Sequence, residues 1–458
     1  MTAAFAPNSV HARDIAFLVH HQTDIAGYRE TGGTLMARGE GVYVYDEAGK
    51  KYLEAMAGLW CASLGFSERR LAEVAYRQML ELPYYHHFFA KGNIPSVDLA
   101  ERLVQLAPVP MSKVLFSCSG SEANDAAIKL VWYYHNAIGK PQKKKIIGRV
   151  RGYHGNTVAA VSLSGQPQMH SDFDVPLPQF RHTDNPHYYR FHEDGETEEQ
   201  FATRMANNLE QLILREGPDT VAAFFGEPVQ GAGGAITPPA TYWEKIQAVL
   251  RKYDILLIAD EVICGFGRTG NVWGCQTYGI EPDMLSCAKA LSASYQPISA
   301  LLVNEKIYQA MLGESKKIGS FAHGFTYAAH PVACAVAVET LKIYEERDIF
   351  THVRRVSPVM QEGLKATEDH PMVGNARGVG LIAGVELMAD KRTRTPFPAE
   401  AKAGALVERK CLEAGLVVRA IGDRIAFTPP LIMTEENLQE MCALFRKGLD
   451  AAWAELKG

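Results

Sequence analysis

The sequence predicts an α/β protein: a large domain on a mostly parallel central sheet, with a smaller α+β domain beside it. Three observations carry this. Short β-branched runs alternate with helix-period segments from about Leu71 to residue 335, an order that builds βαβ units. After a helical stretch from Val332 to Glu346 the pattern changes, and GVGLIAGVEL and LVVRAIGDRIAFTPP follow as strands of a second region. A chain of 458 residues is long enough for one large domain with a companion.

In chain order, EGVYVYDEAGKKYLEA (residues 40 to 55) reads as a hairpin, because Val42 and Val44 alternate with tyrosines and Asp46 to Gly49 supply turn chemistry. LAEVAYRQMLEL is the first helix of the main pattern, and KVLFSCS, KKIIGRV, TVAAFFGEP and DILLIADEV are its strands. A terminal helix starts at Glu435. The hairpin groups with the C-terminal part, so the expected division is residues 60–335 for the large domain and 1–59 with 336–458 for a discontinuous small one.

Composition excludes several function classes. With 47 Lys+Arg against 52 Asp+Glu and a net charge of -5, no basic excess exists to follow a nucleic acid. The eight cysteines form no C-x-x-C pair, which argues against a disulfide framework or zinc site and for a reducing compartment. No metal centre is expected, and YYHHFF (84 to 89) spaces its histidines for packing rather than ligation. No run reaches a membrane-spanning length, and the N-terminus lacks a basic start followed by an apolar core, so the expected location is cytoplasmic.

Four stretches are candidates for chemistry, and each has a purely structural alternative. ILLIADEVICGFGRTG ends a strand in Asp260 and Glu261, and strand-end acids face the ligand crevice of an open α/β sheet; a local cap is the alternative for Asp260. FSCSGSEANDAAIKL runs from strand through a small polar turn into a helix, which offers backbone amides to a phosphate or is simply an N-cap. RGYHGNTVAA places Tyr153 in a turn, where it either stacks on a planar ligand or lies at the surface. FGEPVQGAGG adds the strand-end acid Glu227 before glycines that a plain turn would equally explain. The spacing of RGVGLIAGVEL imitates a dinucleotide fingerprint, but no helix starts there.

DMLSCAKALSASYQPISA sets Lys289 among small and apolar residues, where an unpaired ammonium is costly to bury. One chemistry uses all these parts. A pyridoxal 5'-phosphate enzyme needs a lysine for the Schiff base, an acid at the pyridine nitrogen, an aromatic face and a phosphate cradle. For Lys289 the alternative is a snorkelling side chain on a partly buried segment.

The ordered set SGSEAND, GYHGNT, GEPVQGAGG, ADEVICGFGRTG, CAKALSASYQPISA and HGFTYAAHP resembles the class III aminotransferases of PLP fold type I. The likeness is greatest to the pyruvate-using omega-amino-acid and amine transaminases, and it runs from RGEGVYVYDEAGKKYLEAMAGLW to RAIGDRIAFTPPL. The resemblance implies Lys289 as the Schiff-base lysine and Asp260 as partner of the pyridine nitrogen. Val262, on the same side of a strand, and Tyr153 would take the two ring faces, and Gly120 and Ser121 the phosphate. Thr326 would reach that phosphate from a second subunit, which implies a homodimer with shared sites, a tetramer being open. Glu227 would sit near the substrate and balance a mobile Arg419, with Arg424 a competitor for that arginine's role. Trp60, Phe88 and Phe89 resemble the aromatic wall of the amine pocket, ordinary core packing being the alternative.

Against relatives that read AKGLSSGYLPIGA, this chain has Ala290, Ser294 and Ser299 in place of glycines, which implies a stiffer loop. Gln22 stands where related amine transaminases carry an aromatic residue. The resulting expectation is a ping-pong aminotransferase moving an amino group from a primary amine or omega-amino acid to a 2-oxo acid, pyruvate, with Lys289 moving the proton. An aminomutase or decarboxylase on the same fold, and a non-catalytic binding protein, are the rival readings.

Overall fold

The computed structural model describes residues 5–457; residues 1–4 and 458, the outermost parts of the small domain drawn from sequence, lie outside the described residues. The N-terminal strands are β1 (Met36–Glu40), β2 (Tyr43–Asp46) and β3 (Lys51–Glu54). The central strands are β4 (Lys113–Ser117), β5 (Lys145–Arg149), β6 (Phe180–Thr183), β7 (Val221–Gly226), β8 (Leu256–Asp260), β9 (Met284–Cys287) and β10 (Ser299–Val303). The C-terminal strands are β11 (Val373–Val379), β12 (Ile382–Leu387), β13 (Leu416–Val417), β14 (Arg419–Ala420) and β15 (Arg424–Phe427).

The central sheet has seven strands in the order β4-β10-β9-β8-β7-β5-β6. The pairs β5–β6, β5–β7, β7–β8 and β8–β9 are parallel, as the alternation of strands with helices requires. β7 and β8 are buried along their whole length, which is why VAAFFG and LLIAD read as unbroken apolar runs rather than alternating ones. β10 alone runs antiparallel to both its neighbours. The connection from Cys287 to Ser299 carries only a short helical turn, Lys289–Leu291, and is too brief for a crossover. That connection holds the candidate lysine.

The remaining strands form two four-stranded sheets, β1-β2-β3-β13 and β11-β12-β15-β14. β13, from the C-terminal part, pairs in parallel with β3, so the N-terminal meander and the C-terminal region share a sheet. β2 and β3 are the hairpin expected over residues 40 to 55, and β1 extends it into a meander. RGVGLIAGVEL forms the antiparallel pair β11–β12, turning at Gly380 with φ 57°, a conformation glycine adopts freely. The expected helices appear as Arg69–Glu81, Pro331–Glu346 and Glu435–Lys457. Among the described residues no helix is long and apolar enough to cross a membrane.

Candidate active site

The carboxyl ends of the parallel strands open into a cleft of 370 Å³ lined by Gly120, Ser121, Tyr153, Glu227, Asp260, Val262 and Lys289, among others. This is the volume of a small-molecule site at the expected edge of an α/β sheet. Asp260 is the last residue of β8 and is buried. Three donors fix its carboxylate. His154 Nδ1 lies 2.7 Å and Asn124 Nδ2 2.8 Å from Oδ2, and the Val262 amide donates to Oδ1 at 3.1 Å. Asn124 is itself held by Ser286, whose hydroxyl donates to its Oδ1 at 2.8 Å.

Lys289 lies in the cleft floor directly after β9, with φ 49°. Burial lowers its proton affinity below the ordinary lysine value, while the negative charges of Asp260 and Glu227 oppose that shift. Among the described residues its Nζ has no ion-pair partner. An amine whose proton affinity is lowered, in one cleft with a fixed acid, suits a nucleophile or proton carrier.

The opposite wall is the start of the Gly120–Ala137 helix. Ser119 caps it, its hydroxyl accepting from the Glu122 amide, and Glu122 reaches back to accept from the Cys118 amide at 2.6 Å. The Gly120 and Ser121 amides of the first turn are left for an anion in the cleft, where the helix dipole adds positive potential. A Cβ on Gly120 would come within 3.1 Å of Val262, and one on Gly155, at φ 140°, within 2.6 Å of the Ser121 hydroxyl, so both glycines keep this wall thin. Ser121 Oγ accepts from the Asn156 amide at 3.1 Å, which ties the Tyr153 turn to the helix. Val262 lies beyond the end of β8, not on it. It reaches the cleft because the chain turns sharply there, rather than by strand alternation.

Glu227 is buried, and desolvation raises its carboxyl above the usual range. Its two oxygens accept from the Tyr153 amide at 3.1 Å and the Gly231 amide at 2.8 Å, so it joins two loops. The anticipated balance between Glu227 and Arg419 is not made in this conformation. The Arg419 guanidinium stands 5.7 Å over the Trp60 ring, with Glu408 as its acidic neighbour. Arg424 points elsewhere, toward Glu386. Trp60 is buried beside Gly231, and its neighbours Leu59 and Cys61 line the cleft in its stead.

Phe88, Phe89 and Thr326 do not line the cleft of the single chain. They gather on a separate surface, where the Phe88 ring packs on Gly324, the Tyr84 hydroxyl donates to the Thr326 carbonyl at 2.7 Å, and Phe89 is 85% exposed. Gln22, at φ 54° in the N-terminal segment, is likewise outside the lining. Residues not singled out from sequence are Asn124, Ser286 and His154 in its role as holder of Asp260. Their signal lay in the same quoted motifs, but which acid they would meet depends on the sheet order. Among the described residues no cluster of His, Cys, Asp and Glu is arranged to hold a metal ion.

The lysine, the fixed acid, the thin phosphate wall and the Tyr153 turn fit pyridoxal 5'-phosphate. Comparison with known proteins points the same way. The family described as Aminotransferase class-III matches residues 27–449. Gamma-aminobutyrate transaminase 1, mitochondrial, of Oryza sativa subsp. indica is 54% identical over 438 residues, which span 94% of this chain and 85% of that protein. Vanillin aminotransferase of Capsicum chinense is 53% identical over 416 residues, 91% of each. The solved omega transaminase of Pseudomonas jessenii in complex with PMP matches with a TM-score of 0.96 at 52% identity, covering 98% of this chain and 100% of that one.

Proposed function

Since this chain belongs to the class III aminotransferases, pyridoxal-phosphate enzymes of fold type I, we propose that it takes the amino group of a primary amine or omega-amino acid and passes it to pyruvate by a ping-pong exchange. The observation that carries the reading is the Lys289 amine, lowered in proton affinity by burial and set beside the fixed Asp260 carboxylate in the cleft.

Lys289 would hold the cofactor covalently through Nζ, Asp260 would face its ring nitrogen, and Tyr153 and Val262 would take its two faces. The Gly120 and Ser121 amides, with Thr326 of a second copy, would take its phosphate. Bound there, the ring supplies an electron sink for the carbon that bears the amine. With its Nζ free, Lys289 would take a proton from the amine-bearing carbon and give it back as base and then acid. Burial shifts its proton affinity in the direction this transfer needs.

Arg419 and Trp60 support the choice of donors. A guanidinium stacked on an indole rather than locked in an ion pair can turn to a carboxylate or yield to an uncharged group. The names of the relatives hold both kinds of group, one naming gamma-aminobutyrate, which carries a carboxylate, and another vanillin, an uncharged aldehyde that can only accept an amino group. The grouping of Phe88 and Thr326 on one exposed surface, away from their own cleft, supports a homodimer in which each copy completes the other's site. All eight cysteines are free, the state a reducing compartment such as the cytoplasm maintains.

The test is a donor screen with pyruvate, read as alanine formed. Alanine from gamma-aminobutyrate, beta-alanine or an aralkyl amine supports the reading; no alanine, with the matching amino acid formed when another 2-oxo acid replaces pyruvate, overturns the choice of acceptor.

A further inference from the structure

Behind the glycine loop that follows Glu227, positive charge is gathered without enough negative charge to match it. Glu386 of β12 is fully buried. Arg190 Nε donates to its Oε1 at 2.5 Å, and Arg377 Nη1 to its Oε2 at 3.1 Å. Arg424, its cross-strand partner on β15, brings Nη1 to 3.9 Å. His187 Nε2 stands 2.9 Å from Oε2. Burial pulls His187 down to about 4, so near neutral pH it is an uncharged donor and adds nothing to the charge count.

Arg151, in the turn after β5, feels both Arg190 and Glu386 yet makes no side-chain hydrogen bond among the described residues. Arg424 is 5% exposed, its Nε has no partner, and no other acceptor meets its guanidinium among the described residues. Arg377 Nε is likewise buried without a partner. Burial lowers Arg424 to about 10, and Arg151, Arg190 and Arg377 all push it the same way, with Glu386 alone opposing them. Four guanidiniums thus share the field of one carboxylate, and two of them, Arg377 and Arg424, are largely shut off from water. Uncompensated buried charge of this kind is expensive, and an anion removes the expense.

We infer that the cluster of Arg151, Arg190, Arg377 and Arg424 around Glu386 is a binding site for a small inorganic anion of the chloride class. Backbone packs closely on Arg424 here, which disfavours a polyatomic anion. Gly234 presses on the Arg424 stem, where a Cβ would come within 2.5 Å of Cδ, and its carbonyl accepts from Arg377 Nη2 at 2.8 Å. A monatomic anion fits between splayed N–H groups without the fixed fork that a carboxylate or phosphate demands. The site is separate from the cleft but touches its support, because the loop it braces includes Gly231, whose amide holds Glu227.

An anion bound only by the folded chain raises its thermal midpoint by mass action. The full-length protein, saturated with pyridoxal 5'-phosphate, is heated in sodium chloride and in sodium gluconate at equal ionic strength. A saturable chloride-dependent rise of about 1–3 °C is expected. Arg424→Gln and Arg151→Gln should each abolish it. In crystals of the unaltered protein grown with bromide, an anomalous peak is expected within hydrogen-bond distance of Arg151 and Arg424. Equal midpoints in the two salts overturn the inference, as does the absence of a bromide peak at this position, and the bromide result decides even if neither variant folds.

Discussion

At the scale of single residues, the Asp260 carboxylate is positioned by Asn124, His154 and the Val262 amide, so its place does not depend on a cofactor being present. Lys289 differs, because nothing ties its amine and its proton affinity is a balance: burial lowers it and the charge of Asp260 raises it. Two results follow. Lys289→Ala should reduce transamination by at least about 10²–10⁴-fold, the share general acid–base transfer contributes, and should remove the near-visible absorbance of the lysine-bound cofactor. Capture of pyridoxal 5'-phosphate by the apo chain should speed up as pH rises and level off below 10.5, the ordinary value for lysine. Asp260→Asn removes the charge that favours the ammonium, so the levelling point should move further down, as stopped-flow absorbance across a pH series would record.

At the scale of elements, the loops around the cleft divide into parts that were legible in the sequence and parts that were not. The strand-end acids, the Ser117–Ser121 turn and the lysine loop each lay in one continuous motif, so the sequence could point to residues that the structure brings to one cleft. Val262 lines the cleft, but it lies past the strand, so strand alternation is not what brings it there. Trp60 and Arg419 meet only through pairing of strands far apart in the chain, which no local pattern encodes. The departures from family glycines now separate by geometry. Ser299 is fully buried and donates to the Ser119 carbonyl at 2.7 Å, bracing the cap of the phosphate helix. Ser294 sits at φ 66°, where glycine is at ease. Ser299→Gly should therefore destabilise by about 1 kcal/mol. Ser294→Gly should stabilise by about 0.5–1 kcal/mol. Denaturant unfolding of the two variants checks the opposite signs.

A second element couples to pH. Glu54 is buried, accepts from the Met56 amide at 2.8 Å and from the Gly58 amide, and so shapes the loop that carries Leu59, Trp60 and Cys61. Burial pushes its carboxyl up to about 7, above its unfolded value. A group harder to ionise when folded contributes stability that is fully present below the unfolded value of 4.5 and is lost as pH rises through about 7. The slope is at most about 1.4 kcal/mol per pH unit. Glu54→Gln should flatten the fall in thermal midpoint across that window.

For the whole molecule, a largely parallel sheet was implied by alternating strands and helices but its strand order was not, and the antiparallel β10 follows from a connection too short to cross over. The second subunit is where a single chain's sequence says least. Tyr76, Met79 and Leu80 on the Arg69–Glu81 helix are exposed, as are Phe89 and Tyr327. This exposed apolar surface is where the second copy proposed above would pack. In the homodimer proposed above, Leu80→Glu should shift sedimentation toward monomer and lower activity with it, because Thr326 and Phe88 would no longer reach the other copy's cleft. The central claim, transfer of nitrogen between two separate carbon skeletons, is tested most directly by mixing a nitrogen-labelled omega-amino acid and unlabelled pyruvate with the cofactor-loaded protein and following the label by mass spectrometry. The account predicts labelled alanine together with the donor's oxo product in equal amounts, and none of either with Lys289→Ala; label that returns to the donor's own skeleton, with no alanine formed, would contradict it.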